Sequence, residues 1–401
     1  MSAATYRDVF AEPRFRGLFA ARTVWMAAGT LQILTMSVVV YRETGSPLLG
    51  ALAFGAGFLP QVVSGLLLGA SADRFPPRRL ILGGYLVEAC VAATLALLHP
   101  PVGLALALIA AVGLLAPLSN GATGRLVADA LTGDAYVLGR AAISMSSSGA
   151  QLVGLAAGGV AVAALGPRNA LLAACAGHLL AVLIFRLTAG RGDPPVEARS
   201  GTVLRESWSG ARRLLADPPV RRLLFAQWLP PAFSTGGEAL LVPYASSRGW
   251  PATTAGIMLA AVPLGMLVGD LLVSRLVRPA TRERLVPLLI AVIGVPLTLL
   301  AVRPSPVVAV GLLVVAGFGL SYLLGLQRPF LDAVPEEGRG QAFTLLSTGM
   351  MTLQGIGPLL GGLAAEALGP APVMALAGVA ILIVAVGVRR ENRLSQPSAV
   401  S

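Results

Sequence analysis

The stretch QLVGLAAGGVAVAALGP at residues 151–167 recurs as QGIGPLLGGLAAEALGP at residues 354–370, an offset of 203. The two copies share their leading Gln, three Gly and the closing Leu-Gly-Pro. Near the starts of the two halves, PRFRGLFA at 13–20 recurs as PVRRLLFA at 219–226, an offset of 206. Chance similarity between helices rich in Ala, Gly and Leu is the alternative, but the repeated Gln and Leu-Gly-Pro anchors argue against it. The sequence therefore predicts a tandem duplication of one folding unit.

The composition is that of a membrane protein. Hydrophobic residues make up 55% of the 401 residues and charged residues only 12%, whereas soluble domains carry about 25% charged residues. Uncharged runs long enough to cross a bilayer, about 20 residues each, recur along the chain. These runs do not alternate as barrel strands do, and lipid cannot satisfy an open strand edge, so the spans must be helices. We expect an all-α polytopic membrane protein rather than a soluble protein with many buried helices.

Hydropathy predicts twelve transmembrane helices in two six-helix halves, which we number as spans in chain order. Their limits are 17–41, 47–72, 80–98, 102–124, 136–165, 169–187, 223–247, 252–274, 285–302, 305–327, 341–368 and 371–388. The predicted domains are an N-terminal six-helix bundle at 1–187, a cytoplasmic linker at 188–221 and a C-terminal six-helix bundle with its tail at 222–401. The second part of the linker, VLRESWSGARRLLA at 203–216, predicts an amphipathic helix at the membrane surface.

The arginines set the predicted orientation. All 30 basic residues are Arg, and 25 of them fall in the two termini and the loops on the same side of the membrane. The opposite side has four, Arg42, Arg168, Arg248 and Arg303. The positive-inside rule then predicts a multi-pass protein of the cell membrane with both termini in the cytoplasm. The net charge of +11 is therefore a signal of topology, and we expect no nucleic-acid partner.

Several classes of protein are disfavoured by what the sequence lacks. Without Lys the chain has neither a Walker A phosphate loop nor a retinal Schiff base. It has two His and no HExxH, GxSxG or paired intramembrane Asp, so we expect no enzyme. The two Cys lie in apolar runs without a CxxC pair, so we expect neither a metal site nor a cofactor. A receptor or scaffold is disfavoured because no extra soluble domain is present.

The stretch GASADRFPPRRLIL at 69–82, between spans 2 and 3, concentrates charge in a region that otherwise has almost none. It resembles the loop signature of the major facilitator superfamily, although Pro76 and Pro77 replace the family's usual Gly and Arg. The matching residues are Gly69, Asp73, Arg74 and Arg78. The twelve spans, the duplicated halves and the long central linker extend the resemblance over the whole chain, and the linker text is similar to that of a bacterial drug or metabolite exporter branch.

The resemblance implies two pseudo-symmetric halves, alternating access and a conformational latch formed by this loop. In the family the Asp, here Asp73, sits by the N-terminus of span 11, where a carboxylate gains about 0.3–1 kcal/mol. The arginines pair across the halves, and the candidate partners are Asp332, Glu336 and Glu337. Alternatively, the arginines only set the membrane topology through the positive-inside rule and have no role in a latch. That rule does not explain the presence of Asp73, because acidic residues contribute little to topology.

A Gly-Pro-x-x-Gly-Gly signature is typical of drug/proton antiporters of this family, where it lies in span 5. Here the complete pattern lies in span 11, at 357–362, and span 5 has Leu155 in place of the Pro, at 154–159. Small residues at this spacing also serve helix packing. Antiport and packing therefore both remain open as explanations of these glycines.

One polar stripe marks the predicted solute site. In span 7, which lines the cavity in the family, the stripe runs through Gln227, Pro231, Ser234 and Glu238 at helical spacing. At the offset of 206, Glu238 corresponds to Gln32 of span 1. The predicted residues for substrate and proton binding are Glu238, Gln32, Gln151, Gln354, Ser234 and Tyr322. Glu238 either titrates during transport or hydrogen-bonds Gln32 and holds spans 1 and 7 together.

Two further ionisable residues lie at membrane depth, Glu88 in span 3 and His178 in span 6. In the family these spans lie outside the cavity, so we expect Glu88 to pair structurally and His178 to be a packed neutral side chain. The cavity is then mostly neutral and apolar with one acid. This favours a proton-coupled exporter of a small lipophilic or cationic solute, driven by the proton gradient across the lipid bilayer. We expect the protein to be a monomer. Uptake or facilitated transport of a small metabolite is the alternative.

Overall fold

The computed structural model is helical throughout the residues that it describes, which are 5–55, 60–61, 75–188, 212–334 and 339–394. The prediction of an all-α fold is confirmed. The helices are α1 (Tyr6–Ala11), α2 (Pro13–Thr44), α3 (Pro47–Gly55), α4 (Pro77–Leu98), α5 (Val102–Ala130), α6 (Gly133–Thr188), α7 (Pro218–Glu238), α8 (Leu241–Ser247), α9 (Ala252–Leu276), α10 (Pro279–Leu299), α11 (Pro306–Gly319), α12 (Leu323–Ala333), α13 (Arg339–Leu368) and α14 (Pro370–Leu394).

The repeated Leu-Gly-Pro is a helix break in both copies. Gly166 has a φ of 79° inside α6, and Gly369 has a φ of 80° between α13 and α14. Only glycine takes up this conformation without steric cost, and the proline that follows cannot donate a hydrogen bond to continue the preceding helix. Predicted spans 5 and 6 accordingly form the two parts of α6, and spans 11 and 12 form α13 and α14.

Within the described ranges, eight helical segments are long and apolar enough to cross a membrane. Predicted span 7 is divided into α7 and α8, and span 10 into α11 and α12 with a 3₁₀ turn at Leu320–Tyr322. Span 2 is described only as α3 and residues 60–61. Most of the predicted amphipathic linker helix lies outside the described residues, which resume as helix at 212–216.

The chain forms two compact units. The first comprises Met1–Glu43, Ala56–Gly201 and Pro251–Ala260, and its core joins α2, α4 and α6 through Phe15, Trp25, Tyr85 and Phe185, among other side chains. The second comprises Thr44–Gly55, Thr202–Trp250 and Ala261–Ser401, and its core includes Val220, Leu224, Trp228 and Phe330. Each unit thus contains a short segment from the other predicted half, α3 in the second and the start of α9 in the first. The predicted domain limits stay a prediction.

The duplicated glycines make equivalent helix contacts in the two units. In the first, a methyl group on Gly158 would stand 3.0 Å from Leu34 of α2, and one on Gly159 would stand 2.9 Å from the Cα atom of Gly256 in α9. In the second, a methyl group on Gly361 would stand 3.0 Å from the carbonyl oxygen of Gly236 in α7, and one on Gly362 would stand 2.8 Å from α3. Close helix packing therefore accounts for these glycines, whatever the coupling mechanism.

Candidate functional site

Two residues of the predicted stripe in α7, Ser234 and Glu238, are joined by a hydrogen bond. The hydroxyl of Ser234 donates to Oε1 of Glu238 at 2.9 Å, as expected for side chains one helical turn apart. Ser234 is buried and Glu238, the last residue of α7, is half-buried. Gln227, from the same stripe, donates its amide to the carbonyl of Leu223 at 3.1 Å. The stripe therefore presents one carboxylate, held by a hydroxyl, at the end of the helix.

Tyr322 has a structural position in the second unit. It is fully buried, and its hydroxyl donates to the carbonyl oxygens of Ala226 at 3.0 Å and Gln227 at 3.3 Å. These are the two carbonyls of α7 whose usual donors, four residues on, are the nitrogens of Pro230 and Pro231. Proline has no N–H, so the phenol replaces the missing backbone donors.

Gln32 lies in the first unit beside two residues that the sequence analysis placed outside the cavity. Its amide oxygen is 3.3 Å from Nε2 of His178, and Nδ1 of His178 is 3.5 Å from Oε2 of Glu88. The exposed fractions of Gln32, Glu88 and His178 are 6%, 8% and 0%. Three helices, α2, α4 and α6, thus bring one amide, one imidazole and one carboxylate together inside the unit. The described contacts of Glu238 and of Gln32 are with Ser234 and His178, respectively.

Aromatic and basic groups adjoin this cluster. The ring of Trp25 stacks on Tyr85 at 5.3 Å between centroids, and the guanidinium of Arg22 lies 5.5 Å from the centre of the Trp25 ring. Arg22 also donates to Asn120 of α5 at 3.1 Å. Trp25 and Tyr85 are buried, and the Trp25 indole interacts with the Glu88 carboxylate.

Of the predicted latch, only Arg78 lies in the described residues, and Gly69, Asp73 and Arg74 do not. Arg78 borders a small pocket of about 20 Å³ that is also lined by Arg14 and Asp129. Asp332 was predicted as an acidic partner of the latch arginines, and its Oδ2 lies 3.6 Å from Nε of Arg328 in the same helix. Glu336 and Glu337 are outside the described residues.

The remaining predicted residues are placed individually. Gln151, in α6, is exposed, and Gln354, in α13, is half-buried. The sequence did not predict that Gln32, Glu88 and His178 form one cluster, although each was identified separately. One signal for it was available, because Glu88 and His178 each lie 11 residues past a proline at the start of their helical segment, Pro77 and Pro167. Each is therefore about 16 Å from its own end of a core about 30 Å thick, near the middle of the membrane.

Comparison with known proteins identifies the fold. The model of the Major Facilitator Superfamily matches residues 18–330. The multidrug efflux pump Tap of Mycolicibacterium fortuitum is 25% identical over 368 residues, which cover 88% of this chain and 89% of that protein.

Two solved structures illustrate the likeness. A POT family transporter in complex with 5-aminolevulinic acid has a TM-score of 0.74 at 12% identity, over 95% of this chain and 96% of the other. A bacterial homologue of the human lysosomal transporter Spinster, inward-facing and occupied, has a TM-score of 0.73 at 16% identity, over 96% and 98% of the two chains. At these identities the likeness concerns the fold alone.

Proposed function

The chain belongs to the Major Facilitator Superfamily, and from that premise we propose that it exports a small lipophilic or cationic solute from the cytoplasm in exchange for protons. We place the protein in the cell membrane with both termini in the cytoplasm, because the distribution of arginines favours this orientation. The relative described as a multidrug efflux pump supports export over the uptake of a metabolite.

The observation that carries this proposal is the Ser234–Glu238 pair at the end of α7. The carboxylate is half-buried and its hydrogen-bond partner is a neutral hydroxyl. A carboxylate in such a place binds either a proton or a cationic solute, because each neutralises its charge. Alternate occupation of one carboxylate by proton and solute is sufficient for antiport. Glu238 lies 16 residues past Arg222, about 24 Å along a helix, and so in the outer half of the membrane.

The proposed solute site comprises Glu238 and Ser234, with Gln354 as a further candidate in the same unit. Tyr322 is left out because its hydroxyl is occupied by the backbone of α7. Gln32 is left out because its amide oxygen faces His178. A single carboxylate among neutral groups favours cations and uncharged lipophilic compounds over anions.

The test uses membrane vesicles and tetraphenylphosphonium, a permanently charged lipophilic cation. Inverted vesicles with an acidic interior are expected to accumulate the probe, and right-side-out vesicles are expected not to. Glu238→Gln keeps the shape and hydrogen bonding of the side chain but cannot titrate, so accumulation should lose its dependence on the pH gradient. Glu43→Gln removes an exposed carboxylate at the end of α2 and serves as the matched control.

Two outcomes would count against the proposal. If inverted vesicles with the protein accumulate no more probe than vesicles without it, the export of lipophilic cations is excluded. If Glu238→Gln retains the gradient dependence of the wild type, Glu238 is not the residue that couples the two fluxes.

A further inference from the structure

The buried cluster of Gln32, Glu88 and His178 has a chemistry that neither helix packing nor the proposed solute site requires. It lies in the middle of three membrane-spanning helices, and its polar atoms are connected in one row, from the amide of Gln32 through both ring nitrogens of His178 to the carboxylate of Glu88. An ionisable side chain at this depth in a membrane is costly and is rarely kept without a function. A structural contact would be served equally well by neutral side chains.

The surroundings of Glu88 allow both protonation states. Burial favours the neutral acid, whereas nearby donors stabilise a carboxylate. Two possible donors face the Glu88 carboxylate: the indole of Trp25, and Nδ1 of His178 at 3.5 Å from Oε2. The buried hydroxyl of Tyr85, three residues before Glu88, has no hydrogen-bond partner within the described part of the chain. Arg22 adds a positive charge beyond Trp25.

Few charged groups act on the cluster from the helices around it. On α5 the buried polar side chains are the neutral Ser119 and Thr123. The charged or titratable groups are Tyr85 on α4, which interacts with both Glu88 and Arg22, and Arg140 on α6, which acts on Arg22. Among the residues that the structure describes, His178 is the group that makes an ion-pair contact with Glu88. The charge of Glu88 is therefore not fixed by a permanent cation in contact with it.

We propose that Glu88, His178 and Gln32 form a proton-binding site, separate from Glu238, that takes up and releases one proton in each transport cycle. This inference rests on the proposed proton-coupled function. It assigns the N-terminal bundle a proton site of its own, whereas Glu238 belongs to the C-terminal half.

The row of atoms explains how one proton is released. In the loaded state the hydroxyl of protonated Glu88 donates to Nδ1 of His178, and the Nε2–H of His178 donates to the amide oxygen of Gln32. On release, the Glu88 proton passes to Nδ1 and the proton on Nε2 leaves to water, so that the site holds one proton fewer. His178 then donates from Nδ1 to the Glu88 carboxylate, and its bare Nε2 accepts from the amide nitrogen of Gln32. A Gln side chain fits both tautomers because it presents a donor and an acceptor on the same terminal group.

The experiment is infrared difference spectroscopy of the purified protein in lipid, between acidic and alkaline buffer, in which a protonated carboxyl has its own carbonyl band. Glu88→Gln is expected to remove one component of that band, and Glu88→Asp is expected to restore a component at a shifted position. His178→Asn should move the pH midpoint of the Glu88 component, which a purely structural role would leave unchanged. Glu43→Gln is the matched control.

The outcomes separate this inference from the proposed function, because the spectrum needs no solute. A Glu88→Gln spectrum identical to that of the wild type would overturn the proton site, even if tetraphenylphosphonium is exported. If the Glu88 component is present but the wild type exports no probe, the proposed export of lipophilic cations fails and the proton site stands. If Glu88→Gln does not fold, the test is His178→Asn. A pH midpoint of the carboxyl band equal to that of the wild type would then refute the proposal that Glu88, His178 and Gln32 form one proton site.

Discussion

Replacing Tyr322 by Phe removes one hydroxyl and tests how α7 keeps its shape around two consecutive prolines. The hydroxyl donates to the carbonyls of Ala226 and Gln227, which have lost their usual donors to Pro230 and Pro231. Hydrogen bonds between membrane helices are worth about 0.6 kcal/mol on average, and a buried carbonyl left without a donor costs about 1–3 kcal/mol. Because one hydroxyl serves two carbonyls, we expect Tyr322→Phe to lower the free energy of unfolding by about 1–3 kcal/mol.

Tyr244→Phe is the matched control for this prediction. Tyr244 is equally buried, and its hydroxyl donates to the carbonyl of Leu300 at 2.9 Å. That carbonyl also accepts the backbone N–H of Arg303 at 3.2 Å, so the control leaves no carbonyl without a donor. The measurement is the unfolding of both variants in one detergent, followed by tryptophan fluorescence. Equal losses of stability in the two variants would refute the argument that Tyr322 replaces the missing donors of α7.

Three further predictions concern the loops and ends of the helices. Glu366 accepts a hydrogen bond from the backbone N–H of Leu48 at 3.1 Å, at the start of α3. Glu366→Ala should therefore cost about 0.5–2 kcal/mol of local stability, measured as faster hydrogen exchange of the α3 amides. Unchanged exchange would contradict this prediction. Asp73→Asn should impair transport at wild-type expression, since the loop keeps its arginines for insertion; wild-type transport by this variant would reduce the loop to a topology signal. A reporter fused after residue 393 should be cytoplasmic and one inserted near residue 168 external, and the reverse at either site would refute the assigned topology.

The fold was predictable because it depends on features that a sequence shows directly. Apolar runs specify the helices, and the repeated Leu-Gly-Pro specifies where two of them break. The continuity of α7 through Pro230 and Pro231 was less visible in the sequence, because the phenol that replaces the missing backbone donors lies about 90 residues further along the chain. Contacts of this kind depend on packing between distant helices, which local pattern does not encode.

The residues predicted for the solute site differ in how much of their surroundings the sequence indicated. Ser234 and Glu238 lie one turn apart on one helix, so the predicted stripe already placed them on the same helix face, where the structure has their hydrogen bond. Gln32 was assigned by the offset between the two halves, which relates positions in the duplication but does not indicate what each side chain touches. Its neighbour in the structure, His178, is 146 residues away. Tyr322 was assigned to the solute site by residue type, and residue type does not reveal which groups its hydroxyl contacts.

The two copies of the duplication differ in the residues that carry charge. The glycines that bring helices together recur at a constant offset and make equivalent contacts in both units. Asp129 recurs as Asp332, but two acids within the predicted spans do not recur: Glu366 stands where the first copy has Ala163, and Glu238 stands where it has Gln32. Glu88 likewise has no acidic counterpart at 291–294, where the offsets of 203 to 206 would place one. Because packing constrains both copies alike, the shared residues specify the fold, and the chemistry of transport must be sought among the residues that only one copy has. By that criterion Glu88 has the same standing as Glu238, which is why the two proposals place one titrating group in each half of the duplication.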